Sequence, residues 1–341
     1  MFNIARIAIA ITFLANIAFA DSWDNFKTSY IQPDGRVVDR QNNNITHTEG
    51  IGYALFFSVC YNDKETFQKL NHWLENNMPK NEQGLYPWKW GENEKKSWTV
   101  LDTNNATDGD MWIAYAWLSA SKKFKDEKYR TKALELIQSI QLHLTRTVDN
   151  HIFLLPGIQG FETNATITIN PSYSIPFIFD AFYIESHNII WNNLKYDSLA
   201  LLNMCYSTFH LHADWMIYNK ERHTFSLPSM RPYFSYDAIR IPLFWSIWSK
   251  LNPGAEVLHY LEGYQNILAL PYFPIFVDLV NNTVSLDHDE SGAMQNSLLY
   301  YSKIFTNTNL SKNEVINEKK TSYYGDSLGL FSTLPLECYR Y

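Results

Sequence analysis

The stretch Asn105-Ala106-Thr107-Asp108-Gly109-Asp110-Met111-Trp112-Ile113-Ala114-Tyr115 opens a helix and crowds acids at its mouth. Thr107 reads as the N-cap, with Asp110 three residues on in capping-box fashion. Capping explains one acid. It does not explain Asp108, Gly109 and Trp112 gathered at the same helix start, where a second carboxylate beside a tryptophan suits hydrogen bonding to sugar hydroxyls. An apolar pattern of helical period then runs over 108–122. The same pattern recurs at 48–60, 63–77, 128–146, 174–187, 193–218, 236–250, 255–269, 292–304 and 325–334, with Pro, Gly and Asn in the connections. Period-2 alternation is scarce, and the best strand candidates are short, at 36–39 and 151–155. Roughly ten to twelve helices joined by turns predict an all-α fold of antiparallel helix pairs closed into a toroid. A helical-repeat solenoid is the alternative, and no fixed-period repeat supports it.

Two more acids stand at helix starts. Glu49 lies in Thr46-His47-Thr48-Glu49-Gly50-Ile51-Gly52-Tyr53, shortly after Asp34-Gly35-Arg36-Val37-Val38-Asp39. Gly50 and Gly52 remove bulk beside the carboxyl, which suits a long substrate and the partial burial that a general acid requires. Glu49 taken alone is explained more simply as a first-turn acid complementing the helix dipole. The third acid is Asp237, in Tyr233-Phe234-Ser235-Tyr236-Asp237-Ala238-Ile239-Arg240-Ile241-Pro242. Arg240, one turn on, is placed to hold a carboxylate or a sugar oxygen, or to pair with Asp237 at i, i+3. In a toroid, alternate helices start at one rim. Glu49, Asp108 and Asp237 are therefore expected to converge across one cleft as acid, base and sugar ligand, the logic of glycoside hydrolysis with a helper.

Composition narrows the class. Of 341 residues 18% are charged and 46% hydrophobic, so the chain carries enough apolar side chains for a large core. The net charge of −7 and the lack of a basic cluster argue against nucleic acid or an anionic membrane as partner. Aromatic residues make up 16%, which suits either stacking on sugar rings or an aromatic core, the core being the simpler reading. Cys60, Cys205 and Cys338 are too few and odd in number for a disulfide framework. No CxxC or HExxH occurs, and His210 and His212, two apart, would face apart on a helix. At the N-terminus, Arg6, an apolar run from Ile7 to Phe19, and Ala18-Phe19-Ala20 before Asp21-Ser22 follow the order of a secretory signal peptide. The expected organisation is a leader over 1–20 and a single domain over 21–341, soluble after cleavage and located in the periplasm or outside the cell.

Together these stretches resemble glycoside hydrolase family 8, in particular the periplasmic endoglucanases encoded beside bacterial cellulose synthases. The matching segments are Asp34–Asp39, Thr48–Tyr53, Ala106–Ala120, Leu155–Gly160, Asn170–Phe177 and Tyr236–Pro242, in the family's order, with Tyr323-Tyr324-Gly325-Asp326 as a weaker echo. The resemblance implies an (α/α)6 barrel and hydrolysis of β-1,4-glucan with inversion, chemistry that needs no metal or cofactor. Carried over residue by residue, Glu49 is similar to the proton donor and Asp237 to the general base. Asp108 matches a signature aspartate suited to binding and distorting the sugar, and Asp110 the second signature acid. Trp117 departs from the aliphatic residue usual there, which touches packing only. The expected glucan-binding set is Trp88, Trp90, Trp98, Trp112, Tyr173 and Tyr236, with Asp110 and Arg240. The resemblance also suggests a monomer that acts on glucan, in loose association with cellulose-synthesis machinery. Alternatives are the same fold acting on xylan, chitosan or mixed-linkage glucan, a non-catalytic glucan-binding accessory protein, and a polysaccharide lyase. The Tyr236-Asp237-Ala238-Ile239-Arg240 segment favours the cellulase subgroup.

Overall fold

The structure, a computed structural model, describes residues 22–305 and 322–341. The leader expected over 1–20 lies outside them. Helices that are apolar on every side are buried, whereas amphipathic ones cover a core. After a first helix, α1 (22–30), that rule sorts this chain into two rings. In α2 (Thr48–Cys60), every residue from Gly50 to Val59 is buried, and in α4 (Thr107–Phe124) every residue from Thr107 to Leu118. The intervening α3 (Lys64–Asn77) and the following α5 (Glu127–Leu144) each bury a single stripe, Phe67, Leu70 and Leu74 in the first, Ala133, Ile137 and Ile140 in the second. The pattern continues with α6 (Pro176–Ser186) and α8 (Arg240–Leu251) inside and α7 (Ile189–Leu202) outside. Helices α2, α4, α6 and α8 pack as successive staves, and α10 (Ala293–Phe305) and α11 (Tyr323–Thr333) continue the ring from α8. This is the expected (α/α)6 barrel.

Aromatic rings fill the barrel. Phe331 of α11 meets Tyr53 at 4.8 Å, Phe57 at 4.7 Å, Trp112 at 4.8 Å and Phe244 at 5.3 Å between ring centroids. Residues from α2, α4 and α8 thus close on one ring of α11. Much of the aromatic content is core. Glycine sets how closely the first two staves approach. A Cβ on Gly52 would lie 2.6 Å from Trp112 Cβ, and one on Gly109 2.2 Å from Thr48 Oγ1. A Cβ on Gly50 would lie 2.8 Å from the Tyr323 hydroxyl. The glycines beside Glu49 therefore admit neighbouring helices, not substrate as the sequence suggested.

Short strands decorate the barrel ends, more of them than expected. They form four small antiparallel sheets among the described residues. The first comprises β1 (Thr46–His47), β2 (Lys89–Glu92) and β3 (Trp98–Asp102); the second is the hairpin of β4 (Thr145–Val148) and β5 (His151–Leu154). The third comprises β6 (Thr166–Ile169), β7 (Met216–Asn219) and β8 (Thr224–Ser226), and the last β9 (Tyr233–Phe234), β10 (Val277–Asp278) and β11 (Thr283–Val284). The helix expected over 193–218 ends at Leu202, and its last residues belong to β7. The 255–269 helix resolves into a 3-10 turn, Leu258–Leu261, and a short α9 (Tyr264–Leu268). The 36–39 strand is reduced to isolated bridges, Ile31 with Val37 and Asp39 with Ile45. Among the described residues no helix is long and apolar enough to cross a membrane.

The close α2–α4 crossing yields a stability test. Gly52→Ala should lower unfolding stability by about 1–3 kcal/mol through overpacking, read from urea denaturation. Unchanged stability would mean that the two helices do not meet so closely.

Candidate active site

The outer helices return the chain so that α2, α4 and α8 all begin at one rim. Glu49 is the second residue of α2. His47 caps that helix, its Nδ1 accepting the Gly50 N–H at 3.1 Å, and Thr48 N–H donates to the Trp88 carbonyl at 3.1 Å. Asp108 is the second residue of α4. Here the capping-box expectation fails: Ala106 is the N-cap, and the Thr107 hydroxyl donates to the Leu155 carbonyl at 2.6 Å. Asp110 is turned inward with no exposure, accepting from Tyr86 N–H at 3.1 Å and Asn105 Nδ2–H at 3.0 Å. It therefore clamps the 86 and 105 loops and faces no cleft. Asp237 sits in the turn just before α8, whose first residue is Arg240.

Arg240 joins the three acids. Its Nη1 donates to Glu49 Oε2 and, at 3.0 Å, to Asp108 Oδ2; its Nη2 donates to Asp237 Oδ1 at 2.7 Å and to Ser172 Oγ at 2.8 Å. Ser172 belongs to a 3-10 turn, Pro171–Tyr173, ahead of α6, so segments before or within four inner helices meet on one guanidinium. The planar fork of arginine makes such multiple acceptance possible. Tyr173 lies 5.5 Å from the guanidinium, ring centroid to Cζ. Side-chain exposure rises across the acids, from 5% for Asp108 through 16% for Glu49 to 34% for Asp237. Asp237 is thus the carboxyl that water reaches most easily, and Trp215 Nε1–H fixes its Oδ2 at 3.2 Å.

Three carboxyls around one cation carry surplus negative charge. Burial lifts the Asp108 carboxyl to about 7, with Glu49 adding repulsion and a hydrogen bond that favours the protonated acid, against Arg240. A proton therefore resides on Asp108 up to near neutrality. Burial also raises Asp237, opposed chiefly by Arg240. Burial raises Asp110 and Asp214 to about 7 each.

The aromatic expectations divide. Trp112 is fully buried, edge-on to Tyr53 at 5.2 Å, and does not line a cleft. Trp90 is nearly buried, wedged between Trp73 at 5.1 Å and Trp98 at 5.2 Å with the Arg36 guanidinium 4.7 Å from its ring centre. Trp98 is 47% exposed, and Trp88 half-buried beside the head of α2. Tyr236 is exposed, its hydroxyl donating to Asp289 Oδ1 at 3.2 Å. Sequence reasoning missed Ser172, Asp214 and Trp215; the last two fell inside the span misread as helix. Tyr324, whose hydroxyl donates to the Tyr236 carbonyl at 2.5 Å, was present only in the weak C-terminal echo. Among the described residues no group of three His, Cys, Asp or Glu side chains is arranged to hold a metal ion.

The sequence profile of the glycosyl hydrolases family 8 matches residues 3–336. An endoglucanase of Cellulomonas uda is 32% identical over 286 residues, 82% of this chain and 78% of the relative. A probable endoglucanase of Novacetimonas hansenii is 31% identical over 271 residues, 79% of this chain and 78% of the relative. The crystal structure of a GH8 endo-β-1,4-glucanase from an Achatina fulica gut metagenomic library superposes with a TM-score of 0.80 at 29% identity, covering 91% of this chain and 95% of that one.

The buried acids set how stability depends on pH. Asp108, Asp110 and Asp214 have folded-state values near 7, above the ordinary 3.8. Each binds its proton more tightly folded than unfolded, so its contribution is present below about pH 4 and is lost as pH rises through about 7. His212, pushed down to about 4 by burial, pulls the other way, one group against three. Tm should therefore fall from pH 5 to pH 8, and Asp110→Asn should flatten that slope, both read by calorimetry. A Tm that rises over this interval would contradict the assignment.

Proposed function

The chain belongs to glycoside hydrolase family 8, and from that premise we propose that it is an endo-acting β-1,4-glucanase cleaving internal bonds of cellulose-like glucan with inversion. The observation that carries the reading is the Arg240-centred cluster of Glu49, Asp108 and Asp237 at one rim. Such acids suit the two-carboxylate mechanism. Glu49 donates a proton to the glycosidic oxygen. The neighbouring Asp108, which keeps a proton to about pH 7 and hydrogen-bonds to Glu49, is a ready source for it. Asp108 also binds the sugar at the cleavage point. Asp237, the most open of the three, takes a proton from a water on the opposite ring face, and that water attacks the anomeric carbon as the bond breaks.

Inversion needs the acid and the base to be held apart. Glu49 and Asp237 both accept from Arg240, on different terminal nitrogens. Inversion requires about 6.5–9.5 Å so that a water fits between the carboxyls. The leader-like 1–20 segment supports export to the periplasm or beyond, where the enzyme would meet glucan as a soluble monomer, in loose association with cellulose synthesis.

Proton NMR of freshly cleaved cellooligosaccharides should show the α-anomer first at the new reducing end; β-anomer first would overturn Asp237 as base. Glu49→Gln should lower kcat on the same substrates by about 10²–10⁴-fold with Tm nearly unchanged. A variant that merely lost stability would return Glu49 to the role of a helix-start acid.

A further inference from the structure

Asp237 lies in a turn, not on a helix, yet a base must be held to a fraction of an ångström. The neighbouring Asp214 holds that turn. It is buried, and its Oδ1 accepts the N–H of Ser235 at 2.8 Å and the N–H of Ala238 at 2.8 Å, the two amides that bracket Tyr236 and Asp237. Its Oδ2 accepts the Ser235 hydroxyl, and its own N–H donates to the Tyr233 carbonyl at 2.8 Å. All these partners are uncharged. A buried acid without a cation is destabilising unless something offsets it, and neither packing nor an ion pair accounts for this one. Burial and the adjacent Asp237 keep its proton on to about pH 7.

The clasp is anchored on the same sheet as the Arg240 anchor. Met216 opens β7 two residues after Asp214 and pairs directly with Ile169, the last residue of β6. Beyond Ile169 the chain reaches Ser172, which binds Arg240; before Met216 it carries Trp215, whose indole N–H binds Asp237 and whose ring stacks on Phe161 at 5.9 Å. One rung of sheet thus sets the spacing between the holders of Arg240 and of Asp237.

We propose that Asp214 is a positioning residue for the hydrolytic base, its carboxyl oxygens fixing the 235–238 turn so that Asp237 meets the attacking water. The proposal rests on reading Asp237 as that base. Asp214 touches no substrate itself. In its protonated form it has the acceptor and donor pattern of an amide, so asparagine should replace it: the amide oxygen takes the two N–H groups and the amide N–H meets Ser235 Oγ.

The test measures kcat, KM and Tm on cellohexaose for Asp214→Ala, Asp214→Asn, Ser235→Ala and Asp237→Asn. Asp214→Ala should lose about 10²-fold in kcat with KM within about threefold of the parent, the signature of a misplaced reacting group. Asp214→Asn should recover kcat to within about tenfold of the parent. Ser235→Ala deletes one bond of the clasp and carries the test if Asp214→Ala does not fold; a kcat loss of about tenfold at unchanged KM supports the role. Parental kcat in folded Asp214→Ala or in Ser235→Ala, or an Asp214→Asn as impaired as the alanine variant, would overturn it. Asp237→Asn separates the two readings: if it keeps parental kcat, the base assignment falls, whatever the Asp214 variants show.

Discussion

The guanidinium of Arg240 is the constraint on which the site depends. It is buried and charged, so it needs acceptors on every side, and it finds them on α2, on α4, in its own approach turn and in the turn before α6. The converse also holds. Glu49, Asp108 and Asp237 are brought together at a rim where helix N-termini favour negative charge, but three mutually repelling carboxyls stay together only around a cation. Removing one member of a buried ionic group leaves the others uncompensated, at about 3–5 kcal/mol. Here the surplus charge is absorbed instead by a proton on Asp108, held by burial and by Glu49 to about pH 7. The same crowding that makes the cluster electrostatically difficult supplies the proton that glycosidic cleavage requires.

The barrel makes this geometry repeatable. Inner staves that are apolar all round are interchangeable in direction only if each begins where the last one began, and the amphipathic outer helices enforce that return. Phe331 draws α2, α4 and α8 against α11, while glycine at 52 and 109 lets α2 and α4 approach until Glu49 and Asp108 are neighbours. Packing in the core and spacing at the rim are thus one problem, solved by the same residues.

What was legible in the sequence was local. Helical periodicity located α2, α4 and α8, and the acids at their starts were visible because each lies within a few residues of its own apolar run. Arg240 was legible as a partner of Asp237 because the two are three residues apart. Its bonds to Glu49 and Asp108, 191 and 132 residues away, were not. At Asp110, capping-box spacing and an inward clamp look alike in sequence, and only burial separates them. Tryptophan serves cores and sugar subsites equally well, so sequence alone does not separate the buried Trp112 from a cleft residue. Asp214 and Trp215 were hidden inside an apolar stretch whose length suggested one long helix, where a loop and a short strand in fact bring them to Asp237.

One arginine organises the acids by forked donation, not by charge alone. The most direct measurement is kcat of Arg240→Lys on cellooligosaccharides, with folding followed by circular dichroism. Lysine keeps the charge but lacks the fork. A folded variant with kcat lowered about 10²-fold or more is the expected result. Parental kcat in the folded lysine variant would contradict the account.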